Sequence, residues 1–208
     1  MDFIFKGYQM DKKISQDLEK FANIPDFKKT ITFFGSARLK KDDFYCQQAK
    51  ILAQKCAEND FCVISGGGGG IMQAANEGAF NADANSIKSV GFNIFLPHEQ
   101  KLNNFIEYSI TFESLAIRKM ALIEKSLAFV IFPGGFGTLD ELCEVLTLKQ
   151  LEFKKNVPIF LFGSKFWRGF DEFVRNSLLK QEVISQGDEL KYKITDDLDF
   201  IINTLKEI

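Results

Sequence analysis

Two glycine-rich runs and one nearby acid carry the chemistry this sequence can be read for. The first run is Gly66 to Gly70, directly after an apolar stretch, and the second is PGGFGTLDE, Pro133 to Glu141. Glycine lets the backbone take positive φ and approach a ligand with no Cβ in the way. A helix starting just beyond it adds unpaired N–H groups and the positive end of its dipole. Two such turns side by side make an anion site of phosphate size. Familiar nucleotide motifs do not account for them. No Gly-Lys dipeptide occurs, which removes a Walker A loop. The dinucleotide fingerprint fails as well: Gly68 and Gly70 are followed by Gln73 where a glycine should stand, and Gly135 and Gly137 by Asp140.

Thr138 and Glu141 also admit a purely local reading. A threonine followed three residues later by a glutamate is a capping box, in which each side chain satisfies a free N–H of the other's backbone. On that reading Glu141 sits in the first helical turn, where the dipole favours its ionised form. The remaining polar inventory is thin. Only four of the 26 basic residues are arginine, at positions 38, 118, 168 and 175, so each is worth placing. The single histidine, His98, lies in a polar stretch, and Cys46, Cys56, Cys62 and Cys143 form no CxxC pair, so no metal site is expected. Cys143, two residues past Glu141, is turned to the far side of the helix and reads as core.

The elements that must position these residues follow an α/β pattern. Strands are expected at Ile31 to Gly35, Phe61 to Ser65, Ser89 to Phe95, Tyr108 to Phe112, Leu127 to Phe132 and Val157 to Phe162. Helical periodicity fills the intervals, about 42–58, 71–81, 114–125 and 138–153, then 166–179 and 196–207. LAFVIF, Leu127 to Phe132, is the most uniformly apolar run and suits a strand buried on both faces. The expected fold is a Rossmann-like three-layer sandwich, a mainly parallel sheet covered by helices on both faces. It forms a single domain over residues 1–208, with 1–29 as a peripheral N-terminal helix region.

Composition narrows the partners. The 208 residues are 46% hydrophobic and 26% charged, with a formal net charge of −2, so neither nucleic acid nor an anionic membrane is attracted in general. The opening MDFIFKGYQMDKK lacks a basic region followed by a long apolar run, and no later stretch reaches the roughly 18 apolar residues of a membrane span. A cytoplasmic protein with reduced thiols is expected.

PGGFGTLDE matches the PGGxGTxxE signature of the Lonely-guy (LOG) phosphoribohydrolases, long labelled lysine decarboxylases. FGSAR (Phe34 to Arg38), SGGGGGIMQAANEGA (Ser65 to Ala79), LPHEQ (Leu96 to Gln100), IRK (Ile117 to Lys119) and LTLKQ (Leu146 to Gln150) match in order. The chain therefore resembles that family from about Thr30 to Phe162. Gly69 and Gln73 depart from it, standing where similar proteins more often have proline and glutamate.

The resemblance implies hydrolysis of the N-glycosidic bond of a nucleoside 5′-monophosphate to free base and ribose 5-phosphate. The substrate would be AMP, as in an AMP nucleosidase, or an N6-substituted AMP, as in cytokinin biosynthesis. It also implies a homodimer or larger homo-oligomer and no cofactor. By motif position Arg118 and Glu141 are the essential pair, and Gly134, Gly135, Gly137 and Thr138 cradle the phosphate. Gly35, Ser36, Gly67, Gly68, Met72, Glu99, Lys119 and Thr147 fall in blocks expected to contact substrate. Met72 reads equally as core filler, Glu144 as a solvated helix residue and Arg38 as surface.

The chemistry is physically coherent. Glycosidic cleavage makes the ribose positive as the base leaves, and a fixed carboxylate beside C1′ stabilises that charge and orients water. An arginine grips phosphate or ribose oxygens with two prongs. A non-catalytic carrier or sensor of nucleotide or molybdenum cofactor with the same fold is the alternative, although a pure binder has no need of the carboxylate. Lysine decarboxylation needs a pyridoxal lysine with its partners, to which no residues here point.

Overall fold

A computed structural model describes residues 2–82, 86–95 and 101–208, with side chains from residue 12 onward. The chain enters through a helix, α1 (Asp2–Ala22), and then alternates strands and helices. The first half contains β1 (Thr30–Phe34), α2 (Phe44–Glu58), β2 (Cys62–Ser65), α3 (Ile71–Phe80), β3 (Ser89–Ile94) and β4 (Tyr108–Phe112). The second contains α4 (Leu115–Glu124), β5 (Ala128–Ile131), α5 (Phe136–Gln150), β6 (Ile159–Phe162), α6 (Ser164–Phe173), β7 (Lys193–Thr195) and α7 (Leu198–Leu205). A π-helical segment, Val174–Leu179, extends α6 over the stretch expected as one helix.

Among the described residues seven strands lie parallel in the order β4-β3-β2-β1-β5-β6-β7. The chain moves outward from β1 to β4 and then crosses back to place β5 on the free side of β1. That reversal makes β1 and β5 the switch point, where an open parallel sheet leaves a crevice beyond its strand ends. The turns after these strands, at Gly35 and Pro133, therefore open into the same space.

The apolar runs are continuous because both faces are covered. Ile31, Phe33, Ala128, Val130, Phe160 and Phe162 point to one side and pack with α2, α3 and α7. Phe34, Phe129, Ile131, Ile159 and Leu161 point to the other, with α4, α5 and Trp167 of α6. The fold is the α/β three-layer sandwich expected. β7, three residues with half-exposed side chains on the sheet edge, was not signalled by the sequence.

The N-terminal helix is longer than its Ile14, Leu18 and Phe21 spacing indicates, and one of its residues ties it to the start of α4. Asp17 is 1% exposed and its carboxylate accepts the backbone N–H groups of Glu113 (2.7 Å) and Ser114 (2.6 Å), ahead of α4. Burial alone would raise its pKa. Lys20 and the two N–H groups outweigh that and hold it below the ordinary value.

Candidate active site

The glycine turns are laced together before any ligand is considered. Ser36 N–H donates to the carbonyl of Pro133 (3.0 Å), joining the turns after β1 and β5. Ile71 N–H donates to the carbonyl of Ser36 (3.0 Å), tying the start of α3 to the same point. Gly70 has φ +60°, and a Cβ on it would run into that Ser36 carbonyl, so only glycine lets α3 begin there. Behind the run, a buried Asn76 accepts from Ser65 Oγ (2.6 Å) and Asn103 Nδ2 (3.0 Å) and donates to Ser89 Oγ (2.9 Å). Ser65 Oγ in turn accepts from Gly67 N–H (3.0 Å).

A cleft of about 750 Å³ opens at the switch point, within the usual size of a small-molecule site. Gly35, Ser36, Met72, Arg118, Gly135, Gly137, Thr138 and Glu141, all singled out from the sequence, line it. So do Arg38, Phe136 and Gly66. Gly66 and Phe136 escaped sequence reading. One of five consecutive glycines carries no mark of its own, and Phe136 is the variable position of its motif. Phe136 is 92% exposed at the cleft mouth.

α5 begins at Phe136, two residues before the expected start, with Gly135 as its N-cap and no side-chain cap. The capping box is therefore absent. Thr138 is buried against Gly134, where any Cβ would overlap the threonine side chain. Glu141 falls in the second turn, which weakens the dipole argument for its charge. Leu139 N–H already donates to Gly135 (3.0 Å). Cβ atoms at Gly135 and Gly137 would meet nothing within 4 Å, so the protein's own packing does not require glycine at either. What a side chain there would obstruct is the open space over the helix N-terminus, where an anion is best held.

Arg118 projects from α4 into this space. Its Nε donates to the Phe92 carbonyl on β3 (2.9 Å), and its Nη1 lies 3.6 Å from Glu141 Oε1. Both side chains are nearly buried, 11% and 12% exposed. Burial pulls the Arg118 pKa down while Glu141 holds it up. For Glu141 burial dominates, Arg118 opposes it, and the carboxyl is raised to about 7. The helix dipole was expected to favour the ionised form; burial works against it and outweighs the cation beside it.

Other expected contacts lie elsewhere. Gly67 and Gly68 are buried, their carbonyls accepting from Asn103 N (3.0 Å) and Nδ2 (3.0 Å), and serve the loop rather than the cleft. Lys119 points at Asp140 and Glu144 of α5. Thr147 is exposed, and its hydroxyl donates to the Cys143 carbonyl (2.8 Å). Cys143 is itself exposed rather than core, because the opposite face of α5, Leu142 and Val145, is the one that packs. Glu99 and His98 lie outside the described residues. Among the described residues no group of three or more His, Cys, Asp or Glu side chains is arranged to hold a metal ion.

Known proteins resemble this chain in sequence and in fold. The cytokinin riboside 5′-monophosphate phosphoribohydrolases LOG1 and LOG2 of Arabidopsis thaliana are 29% identical over 125 residues and 31% identical over 130. Each alignment takes in 60% of this chain and 58% of the relative. The chain spans about half the length of the curated relatives it matches. In three dimensions, the molybdenum cofactor binding protein of Rippkaea orientalis superposes with a TM-score of 0.61 at 20% identity, over 86% of this chain and 96% of its own. The molybdenum cofactor carrier protein of Chlamydomonas reinhardtii gives 0.60 at 19%, over 86% and 97%. These structures share the fold. The family model described as "Possible lysine decarboxylase" matches residues 72–205, from the helix after the first glycine turn to the last helix. With most of its length inside that match, the chain belongs to the lysine decarboxylase-labelled family of the LOG proteins.

Proposed function

We propose that the protein hydrolyses the N-glycosidic bond of a nucleoside 5′-monophosphate, AMP or an N6-substituted AMP, to free base and ribose 5-phosphate. The observation that carries this reading is the Arg118–Glu141 pair, 3.6 Å apart and nearly buried beside an unobstructed helix N-terminus. The phosphate sits over the free N–H groups of Phe136, Gly137 and Thr138. That anchoring turns the ribose toward Glu141, and Arg118 grips phosphate or ribose oxygens.

A carboxyl with a pKa near 7 is matched to work as a base at neutral pH. As the C1′–N bond breaks its electron pair leaves with the base, which takes up a proton from solvent, while ionised Glu141 stabilises the positive C1′ and takes a proton from the water that bonds to it. Dry surroundings strengthen that interaction in the transition state, at the cost of a carboxylate harder to ionise beforehand.

The test is direct. Purified protein is incubated with AMP, GMP, IMP, CMP, UMP and isopentenyl-AMP, and free base and ribose 5-phosphate are followed by chromatography with Glu141→Gln as control. Purine release that vanishes in the variant supports the hydrolase. Intact nucleotide binding with no release from any of the six favours a carrier or sensor, a reading to which the likeness to molybdenum cofactor carriers lends the fold alone.

A further inference from the structure

The lysine beside Arg118 does not face the cleft. Its Nζ lies 3.0 Å from Asp140 Oδ2, 3.1 Å from Asp140 Oδ1 and 2.9 Å from Glu144 Oε2. These carboxylates flank Glu141 on α5, one residue before it and three after. The Lys119 side chain is only 18% exposed, and burial would depress its pKa. The Glu144 and Asp140 carboxylates more than offset that and raise it.

An ordinary surface ion pair contributes about 0–1 kcal/mol, too little to explain such convergence by stability. Position explains it better. Ile117, Ala121 and Leu122 of α4 and Leu142 and Val145 of α5 share one apolar core, and polar side chains add to how the two helices face one another. Two charged links span them, Arg118 to Glu141 and Lys119 to Asp140 and Glu144. The charges facing Glu141 divide by helix: Arg118 and Lys119 from α4, Asp140 and Glu144 from α5. Lys119 is the cation in contact with both of the like charges.

We infer that Lys119 is a positioning residue: by bridging Asp140 and Glu144 it fixes α5 against α4 with Glu141 opposite Arg118, and it compensates the two carboxylates that flank Glu141. Its consequence for turnover rests on the hydrolase reading, whereas the bridge itself does not. Lys119 was expected to touch substrate. Its ammonium is instead engaged behind the carboxylate that would do the chemistry.

The experiment titrates Glu141 directly. Protein labelled with ¹³C at the glutamate carboxyls is followed by NMR from about pH 5 to about pH 9, the Glu141 signal being assigned by its loss in Glu141→Gln. In Lys119→Met the Glu141 midpoint rises by about half a pH unit or more, because two uncompensated anions now oppose its ionisation. Lys119→Arg keeps it near the wild-type value. Adding Asp140→Asn and Glu144→Gln to Lys119→Met brings it back down.

An unchanged midpoint in folded Lys119→Met overturns the inference. Should Lys119→Met fail to fold, Asp140→Asn/Glu144→Gln with the lysine intact decides: a lowered midpoint supports the inference, and an unmoved one overturns it. AMP hydrolysis run in parallel separates the two ideas. A shifted midpoint in a protein that cleaves no nucleotide leaves the bridge standing and removes the hydrolase. Base release with an unmoved midpoint does the reverse.

Discussion

The guanidinium of Arg118 occupies the space that a side chain at Gly66 would fill. A Cβ on Gly66 would overlap Arg118 Nη2 and lie 2.6 Å from Met72 Sδ, in contacts that real Cβ atoms essentially never make. One glycine of the run thus serves the arginine, while its neighbours serve the turn and the loop behind it. Gly66→Ala should push Arg118 away from Glu141 at little cost in stability, because the atoms that the new methyl meets end flexible side chains. Nucleotide affinity by calorimetry and unfolding by denaturant would check both, and an alanine protein with wild-type affinity would contradict the relationship.

The two glycines after Pro133 should separate packing from binding. Gly134→Ala forces a methyl into buried Thr138 and should destabilise the fold, by about 1–3 kcal/mol. Gly135→Ala meets nothing in the protein and leaves stability within about 0.5 kcal/mol, yet weakens nucleoside monophosphate binding by intruding on the phosphate. Melting curves with and without AMP distinguish the cases. The second variant keeps its melting temperature and loses the ligand-induced rise.

Arg118→Lys should retain charge but lose the fork, lowering kcat/KM by about 10²-fold or more. If turnover is unaltered, the assignment of Arg118 to the site is wrong.

The acid limb of kcat/KM should fall near pH 7, with activity rising as Glu141 ionises. Linkage gives a companion stability effect. A carboxyl raised from 4.5 to about 7 stabilises the fold fully below its unfolded pKa, and that contribution is lost as pH rises through the folded value. Glu141→Gln has no such loss. Its stability relative to wild type should therefore improve by about 3 kcal/mol between acid and mildly alkaline pH. Urea midpoints across that interval measure it, and a pH-independent difference would show that Glu141 titrates normally.

Asp17 carries the opposite sign. Its pKa is depressed below 3.8, so the stability it supplies is present above that value and lost as pH falls through the folded one. Asp17→Asn, unable to accept both N–H groups ahead of α4 with full charge, should cost about 1–3 kcal/mol at neutral pH. The gap narrows in acid. Because α4 carries Arg118, the variant should also raise KM for the nucleotide, measurable in the same base-release assay.

The layered fold was legible because a parallel sheet covered on both faces writes its strands as unbroken apolar runs. AFVIF and IFLF within them each alternate between two cores, so every one of those positions is apolar. β7 was not legible, since three residues on a sheet edge leave no period to read. The glycine turns were visible as punctuation, but their division of labour was not. Gly66, Gly67 and Gly70 are the same letter with three duties, set by Arg118, by Asn103 and by the Ser36 carbonyl.

By itself the sequence determined the six longer strands, the helices between them, and the two turns that must share one end of a parallel sheet, because local periodicity and backbone freedom are properties of short segments. It also determined that Arg118 and Glu141 belong to ordered motifs. Only the tertiary structure decided that these two meet at 3.6 Å, that Lys119 turns to Asp140 and Glu144, and that Glu141 is raised to about 7. Distance between helices and loss of water are set by how whole elements pack, and no stretch of sequence contains them.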